Sequence, residues 1–335
     1  MATVGTGRGA RTRRGTAGAL PSALTAALLT VLLAAGCTGP GGSADDGRGS
    51  TAPSVREPRP SGADGPSVLA VKIGNTPAAR PHTGVDAADV VYVEQVEGGL
   101  SRLMAVYATR LPESVGPVRS ARESDLELLR QFHRPVLAFS GAQSRLLPLI
   151  DRAPLEGVTP ASSSGAYLRG TDRSPPHDLY LRPGRLMDDP PGRAALTTGF
   201  RFGPPPAGGE PEDALTVRYP AARFTFTWSD ADGRWPVSMD GVPATTTEGG
   251  RLAPATVVVQ YVTVRPSDYR DFLGNTTPYT ETVGSGRATV LRDGRAYEAN
   301  WSRPGAGDGT SFTTGDGERM HFARGQVWVV YANAA

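Results

Sequence analysis

The residues with the most chemistry to offer lie in one polar stretch, Arg119-Ser-Ala-Arg-Glu-Ser-Asp125, just ahead of an apolar pattern at Leu126, Leu128, Leu129 and Phe132. A helix beginning near Ser120 would bring free backbone N–H groups, the positive end of its dipole and the guanidiniums of Arg119 and Arg122 to one place, which is how proteins hold anions. Asn75 and Arg80 in a proline-flanked loop, Glu97 and Arg102 on either side of Gly98-Gly99, and Arg173 ahead of His177 complete the candidate ligand set with Ser120. A structural alternative uses the same residues, with the arginines neutralising Glu94, Glu97 and Glu123 as ion pairs. Glu94 sits in an apolar run and is costly to bury alone, so an arginine is its expected partner.

His177 and Asp178 follow two prolines in Arg173-Ser-Pro-Pro-His-Asp178. A histidine beside a carboxylate can exchange protons near neutral pH, so the candidate catalytic residues are His177, Glu94 and Asp178. Strand alternation turns Glu94 and Glu97 to opposite faces unless a bulge intervenes, which weakens a paired-carboxylate glycosidase. The four histidines are scattered and Cys37 is the only cysteine, so no metal site is expected. The sequence has no P-loop and no dinucleotide fingerprint, and no cofactor is expected. Ser140 and Ser144 follow a strand but lack the flanking glycines of a nucleophile elbow, and read as helix caps. The four tryptophans lie on or beside expected strands and read as fillers of a small β core rather than sugar platforms.

These side chains need elements to carry them. Apolar runs at 68–73, 89–96 and 103–109 predict strands, the second and third joined as a hairpin across Gly98-Gly99. A helix is expected over 124–132, stopped by Pro135, then a strand at 136–139, with further helical stretches at 143–151 and 185–196. This half, 67–202, reads as a mixed α/β domain. Residues 203–213 (three consecutive prolines and two glycines after Gly203) read as a linker. Beyond it, 214–335 carries short runs rich in Val, Thr, Tyr and Trp at 215–219, 223–228, 256–264, 279–283, 287–292, 296–301 and 327–331. Asp-Gly pairs at 232–233, 240–241, 293–294 and 316–317 supply hairpin turns, so this half is β-rich and the whole is α+β.

The N-terminus reads as an address. Arg8, Arg11, Arg13 and Arg14 precede an apolar run over 23–35 that is short for a bilayer span and suited to a signal peptide. It ends in Leu33-Ala-Ala-Gly-Cys37, similar to a bacterial lipobox with Ala34 where leucine is usual. Residues 1–36 are therefore expected to be cleaved, and Cys37 to carry the acyl chains that anchor the protein to the outer face of the cell membrane. Residues 37–66 hold Val55 as their one large apolar side chain after Cys37, which predicts a disordered tether. Cleavage removes four of 35 basic residues and none of 33 acidic ones, leaving a slight acidic excess that argues against a nucleic-acid partner. The expected partners are instead a cell-wall polymer or an envelope protein.

Several strings, in order, carry a family resemblance. They are Val71-Lys-Ile-Gly-Asn75, Ala79-Arg-Pro81, Ala88-Asp-Val-Val-Tyr92, Val96-Glu-Gly-Gly-Leu-Ser-Arg102, Val115-Gly-Pro-Val-Arg-Ser-Ala-Arg122 and Pro175-Pro-His-Asp-Leu-Tyr180. Val257-Val-Val-Gln260, Gly284-Ser-Gly286, Trp301-Ser-Arg303 and Phe322-Ala-Arg-Gly-Gln-Val-Trp328 follow. The chain resembles the YerB-like lipoproteins, which carry the domain of unknown function 3048 and its companion C-terminal domain, over about residues 68–332. The resemblance implies the two-part architecture and the membrane address but no activity. From the residues the leading expectation is binding of an anionic envelope ligand or partner, and the alternative is a cell-wall hydrolase using His177 and a carboxylate.

Overall fold

All six residues of the first strand, Leu69–Gly74, are buried, lysine included. A strand covered on both faces loses the polar alternation of a half-exposed one, and this strand sits inside a sheet packed on both sides. The computed structural model describes residues 67–334, Phe272 excepted. The signal peptide, the acylation of Cys37 and the disordered tether expected from the sequence lie outside the described residues.

In chain order the strands of the first half are β1 (Leu69–Gly74), β2 (Val90–Gln95), β3 (Ser101–Tyr107), β4 (Val136–Ala138), β5 (Glu156–Val158), β6 (Tyr167–Arg169) and β7 (Leu179–Leu181), with helices α1 (Glu123–Leu129) and α2 (Leu147–Arg152). The second half adds β8 (Glu210–Pro211), β9 (Ala214–Tyr219), β10 (Ala222–Thr227), β11 (Val237–Met239), β12 (Val242–Pro243), β13 (Thr256–Val262) and β14 (Val264–Arg270). It closes with β15 (Thr276–Thr280), β16 (Gly284–Arg292), β17 (Arg295–Arg303), β18 (Ser311–Thr314) and β19 (Val327–Asn333).

One mixed sheet dominates, in the order β18-β17-β16-β13-β19-β2-β3-β1-β4-β5, with β8 also pairing β17. The expected β2–β3 hairpin is present and antiparallel, from Val90↔Val106 to Gln95↔Ser101. β19, the last strand described, runs parallel to both neighbours, pairing β13 over seven residues and β2 over four. The two halves of the sequence thus share a single sheet. Residues 203–213 are bonded to it: Gly203 N donates to Phe322 O, Arg292 Nη1 donates to Gly203 O, and β8 adds to β17.

Side-chain alternation sorts the core into two faces. On one, Val71, Ile73, Val91, Val93 and Trp328 pack against Phe224, Phe226 and Trp235 of a smaller sheet, β12-β11-β10-β9. On the other, Ala70, Tyr92, Met104, Val258 and Val329 meet Leu128, Leu129 and Ile150 of the helix layer, together with Phe200, Phe312 and Phe322. Trp235, Trp301 and Trp328 are buried, as core fillers. Two Asp-Gly pairs form left-handed turns, with φ of 55° and 86° at Asp240 and Gly241 and 51° and 70° at Asp293 and Gly294. That is the hairpin geometry their sequence favours.

The described residues are mostly β, and the mixed α/β reading of the first half reduces to a sheet carrying two short helices. α1 ends at Leu129, three residues before the expected end, and α2 starts at Leu147. The expected helix over 185–196 is absent. Two 3-10 turns, Pro183–Arg185 and Arg193–Ala195, stand in its place. Pro190 and Pro191 have no N–H to continue a helix, and Gly192 takes φ of 89°. The strand expected over 279–283 is β15, three residues earlier. No helix among the described residues is long and apolar enough to cross a membrane.

Candidate anion site

The register of β1, β2 and β3 puts Gly74, Arg102 and Glu94 in one cross-strand row, with Lys72, Met104 and Tyr92 in another two residues away. The five side chains among them point to the helix-bearing face. Glu94 is buried against the Lys72 ammonium, so its partner is a lysine and not the expected arginine. Lys72 Nζ also donates to Asp125 Oδ1 at 2.7 Å, and Asp125 Oδ2 accepts from the Arg122 N–H at 2.7 Å.

β2 stops at Gln95, and a 3-10 turn at Glu97–Gly99 carries the chain over to β3. Gly98 and Gly99 are left-handed, and a Cβ on Gly99 would stand 2.5 Å from the Pro220 Cβ, so only glycine fits there. The turn takes Glu97 out of strand alternation and brings its carboxylate into the same network as Glu94. Arg122 Nε donates to Glu97 Oε1 at 2.6 Å and Nη2 to Oε2 at 2.8 Å, a bidentate pair, and Thr277 Oγ1 on β15 donates to Oε1. Burial pushes the Glu97 carboxyl up, but the Arg122 charge and hydrogen bonds, with Arg102 and Thr277, overcome it and hold the pKa at about 2. Burial pulls Lys72 down to about 8, against the attraction of Asp125 and with the repulsion of Arg102 and Arg122. Both cations of the chain Glu94–Lys72–Asp125–Arg122–Glu97 are thereby matched.

Arg102 is different. Its Nη1 donates to Ser120 O at 2.7 Å, and no carboxylate lies within 4 Å of it among the described residues. Burial, then the Arg122 charge, draw its pKa well below the ordinary guanidinium value, with Glu97 opposing and Arg119 adding to the repulsion. The Arg119 N–H donates to Lys72 O, its Nη1 reaches Pro176 O at 3.2 Å, and its stem crosses Gly74, where a Cβ would lie 2.6 Å from Arg119 Cγ. Arg102, Arg119, Ser120, Arg122 and Glu97 therefore come together as the sequence suggests.

Others of the expected set act as pins around them. Arg80 donates to Asn75 Oδ1, to Asn75 O and to Asp240 Oδ2, and Asn75 Nδ2 donates to Ser101 Oγ. Arg173 holds the carbonyls of Ala79 and Pro81. His177 lies in the 170–178 loop that Arg119 touches, its N–H on Ser174 O. Both Asp178 oxygens accept from Arg169 Nη1, at 2.8 and 3.0 Å. The carboxylates named with His177 as an acid/base pair are thus held by Arg169 and by Lys72. His82, which no functional argument had singled out, is buried with Nε2 2.9 Å from Gly74 O, and burial lowers its pKa to about 4.

The helix-dipole part of the sequence argument does not survive. α1 has seven residues, begins at Glu123 after Arg122, and fills its own first turn with Glu123 and Asp125. Lys72, Asp125 and Thr277 are the members that sequence reasoning missed. Lys72 had a signal: it is the one lysine in the chain, and it interrupts an apolar strand. Thr277 had none, since it arrives from another part of the sheet assembly through the β14–β15 hairpin. No three His, Cys, Asp or Glu gather as metal ligands among the described residues.

Comparison with known proteins places the chain in a family and a fold. Residues 56–195 match the N-terminal domain, and residues 215–329 the C-terminal domain, of a family described as proteins of unknown function (DUF3048). YerB of Bacillus subtilis (strain 168), whose name classes it provisionally as a lipoprotein, is 24% identical over 276 residues, 78% of this chain and 80% of its own. The crystal structure of YerB from Bacillus subtilis superposes with a TM-score of 0.66 at 20% identity, over 80% of this chain and 91% of that one, a likeness of fold.

Proposed function

From a chain that belongs to the DUF3048 family and is similar to a protein named among lipoproteins, we propose a lipid-anchored binding protein of the outer membrane face, attached through Cys37 and presenting Arg102 to an anionic envelope ligand. The ligand class is a wall glycopolymer phosphate or a peptide carboxylate. The observation that carries the reading is the Arg102 guanidinium, half-buried among Arg119 and Arg122 and matched by no carboxylate among the described residues. Its Nη1 is fixed on Ser120 O, so its remaining N–H groups are oriented before a ligand arrives. A planar, bidentate donor suits carboxylate and phosphate oxygens, and a lysine cannot reproduce it.

Titration calorimetry with a phosphate-bearing wall glycopolymer and a carboxylate-ended wall peptide tests this. Arg102→Ala and Arg102→Lys should each lose on the order of 2 kcal/mol or more of binding, with the circular dichroism spectrum unchanged. Equal affinity in wild type and Arg102→Ala, or no binding of either ligand by wild type, would overturn the site. The anchor is tested separately: Cys37→Ser should move the protein from the membrane fraction to the soluble one or leave it unprocessed. Unchanged processing and fractionation would remove the lipid from the proposal.

A further inference from the structure

A second site opens where the main sheet comes apart. The β13–β16 ladder runs from Thr256↔Arg292 to Gln260↔Ala288 and then stops. β16 continues four residues further, Gly284 to Arg287, paired to β17 alone. At the parting, the carbonyl of Tyr261 accepts from the indole Nε1 of Trp301 at 2.9 Å, so a side chain takes the place of the next ladder partner. The gap is a cleft of about 670 Å³ bounded by the end of β13, the start of β16 and the end of β19.

Its floor is made for close approach by another backbone. Gly284 and Ser285 are exposed, and the position of a Cβ on Gly284 has no neighbour nearer than 3.9 Å. A Cβ on Gly286 would lie 2.8 Å from Trp301 Nε1, so glycine is needed there for the indole to hold the strands apart. Trp301 is 4% exposed and is the wedge, not a stacking platform for a sugar ring. Arg287, at the mouth, is exposed and has no carboxylate within 4 Å among the described residues. Of the two carboxylates that line the cleft, Glu281 is taken by Arg265 at 2.8 Å and Glu298 accepts from Thr289 Oγ1 at 3.2 Å.

We propose that this cleft receives an extended peptide, which adds as a strand to β16 along Gly284–Arg287 and delivers a carboxylate to Arg287. Strand addition draws affinity from main-chain hydrogen bonds and specificity from side-chain contacts, here the charged contact at Arg287. The site is separate from the Arg102 network and stands whether or not that one binds.

The probe is a fluorescein-labelled, extended hexapeptide, Thr-Val-Thr-Val-Thr-Asp, followed by fluorescence polarisation on the folded protein. Wild type should bind it, and a copy N-methylated at alternate amides, which cannot donate to a ladder, should bind at least about tenfold more weakly. Arg287→Glu, an exposed substitution that leaves the fold intact, should lose at least about as much. Arg102→Ala should leave peptide binding unchanged. Hydrogen exchange at Gly284–Arg287 should slow when the hexapeptide is present. No binding of the hexapeptide at millimolar protein, equal binding of the N-methylated copy, or binding of a chito-oligosaccharide in its place with no added protection of β16 overturns the proposal.

Discussion

Lys72, Glu97 and His82 are single side chains whose charge states are set by where the sheet puts them. For Glu97 the folded pKa of about 2 lies below the ordinary 4.5. Its contribution to stability is therefore complete above pH 4.5 and is lost as pH falls towards 2. His82 is lowered from 6.5 to about 4 by burial, so it too stabilises the fold only as the neutral form, and its contribution drains away between pH 6.5 and 4. A shift of that size corresponds to about 3 kcal/mol. Urea midpoints should thus begin to fall below pH 6.5 and fall again below 4.5. His82→Gln should flatten the first stage and leave the second, and an unchanged profile in that variant would show that His82 does not titrate as its burial implies. At this scale the sequence was half legible. Arg102, Arg119, Arg122 and Glu97 could be picked out by type and spacing. Glu94 could not be given its partner, because the lysine that reaches it shares a sheet face only once β1 and β2 lie on either side of β3.

Two short elements govern the candidate site. The Glu97–Gly99 turn breaks strand alternation, and the β14–β15 hairpin lays Thr277 on Glu97 and donates from Thr280 N to Ser124 Oγ. The hairpin also reaches Glu127 through Tyr279, and Thr282 just beyond it donates to the same carboxylate. Thr277→Val should leave Glu97 with Arg122 but cost about 1 kcal/mol of stability, read by urea denaturation, and should raise hydrogen exchange in β15. No change in either measure would mean that the hairpin is held by its other contacts. Gly99→Ala is the harsher test of the turn, since the left-handed backbone and the Pro220 ring both oppose it. Most strands with strong β-branched content were legible to within a residue or two, with β15 and the start of β16 three residues off. The helix expected over 185–196 was not, because its apolar spacing competes with two prolines whose missing N–H groups decide the matter.

For the molecule as a whole, β19 decides how the halves relate. It lies between β13 and β2, and its Trp328 packs on Phe224 and Phe226 of the smaller sheet. Family boundaries near 195 and 215 mark segments of sequence, whereas the sheet runs through both. Denaturant unfolding of the region 67–334 should show one transition, the same by tryptophan fluorescence and by far-ultraviolet circular dichroism. Two separated transitions would mean that the halves stand alone. Sequence patterns identified most strands of the main sheet but not this arrangement, because parallel pairing between distant strands leaves no turn signal to read. Placing the last strand in the middle also sets a clock. As the chain is made from its N-terminus, the edges of β2 and β13 stay bare until residues 327–333 emerge. The sheet cannot close before then, and a second chain's β19 is the competitor most able to fill the vacant slot.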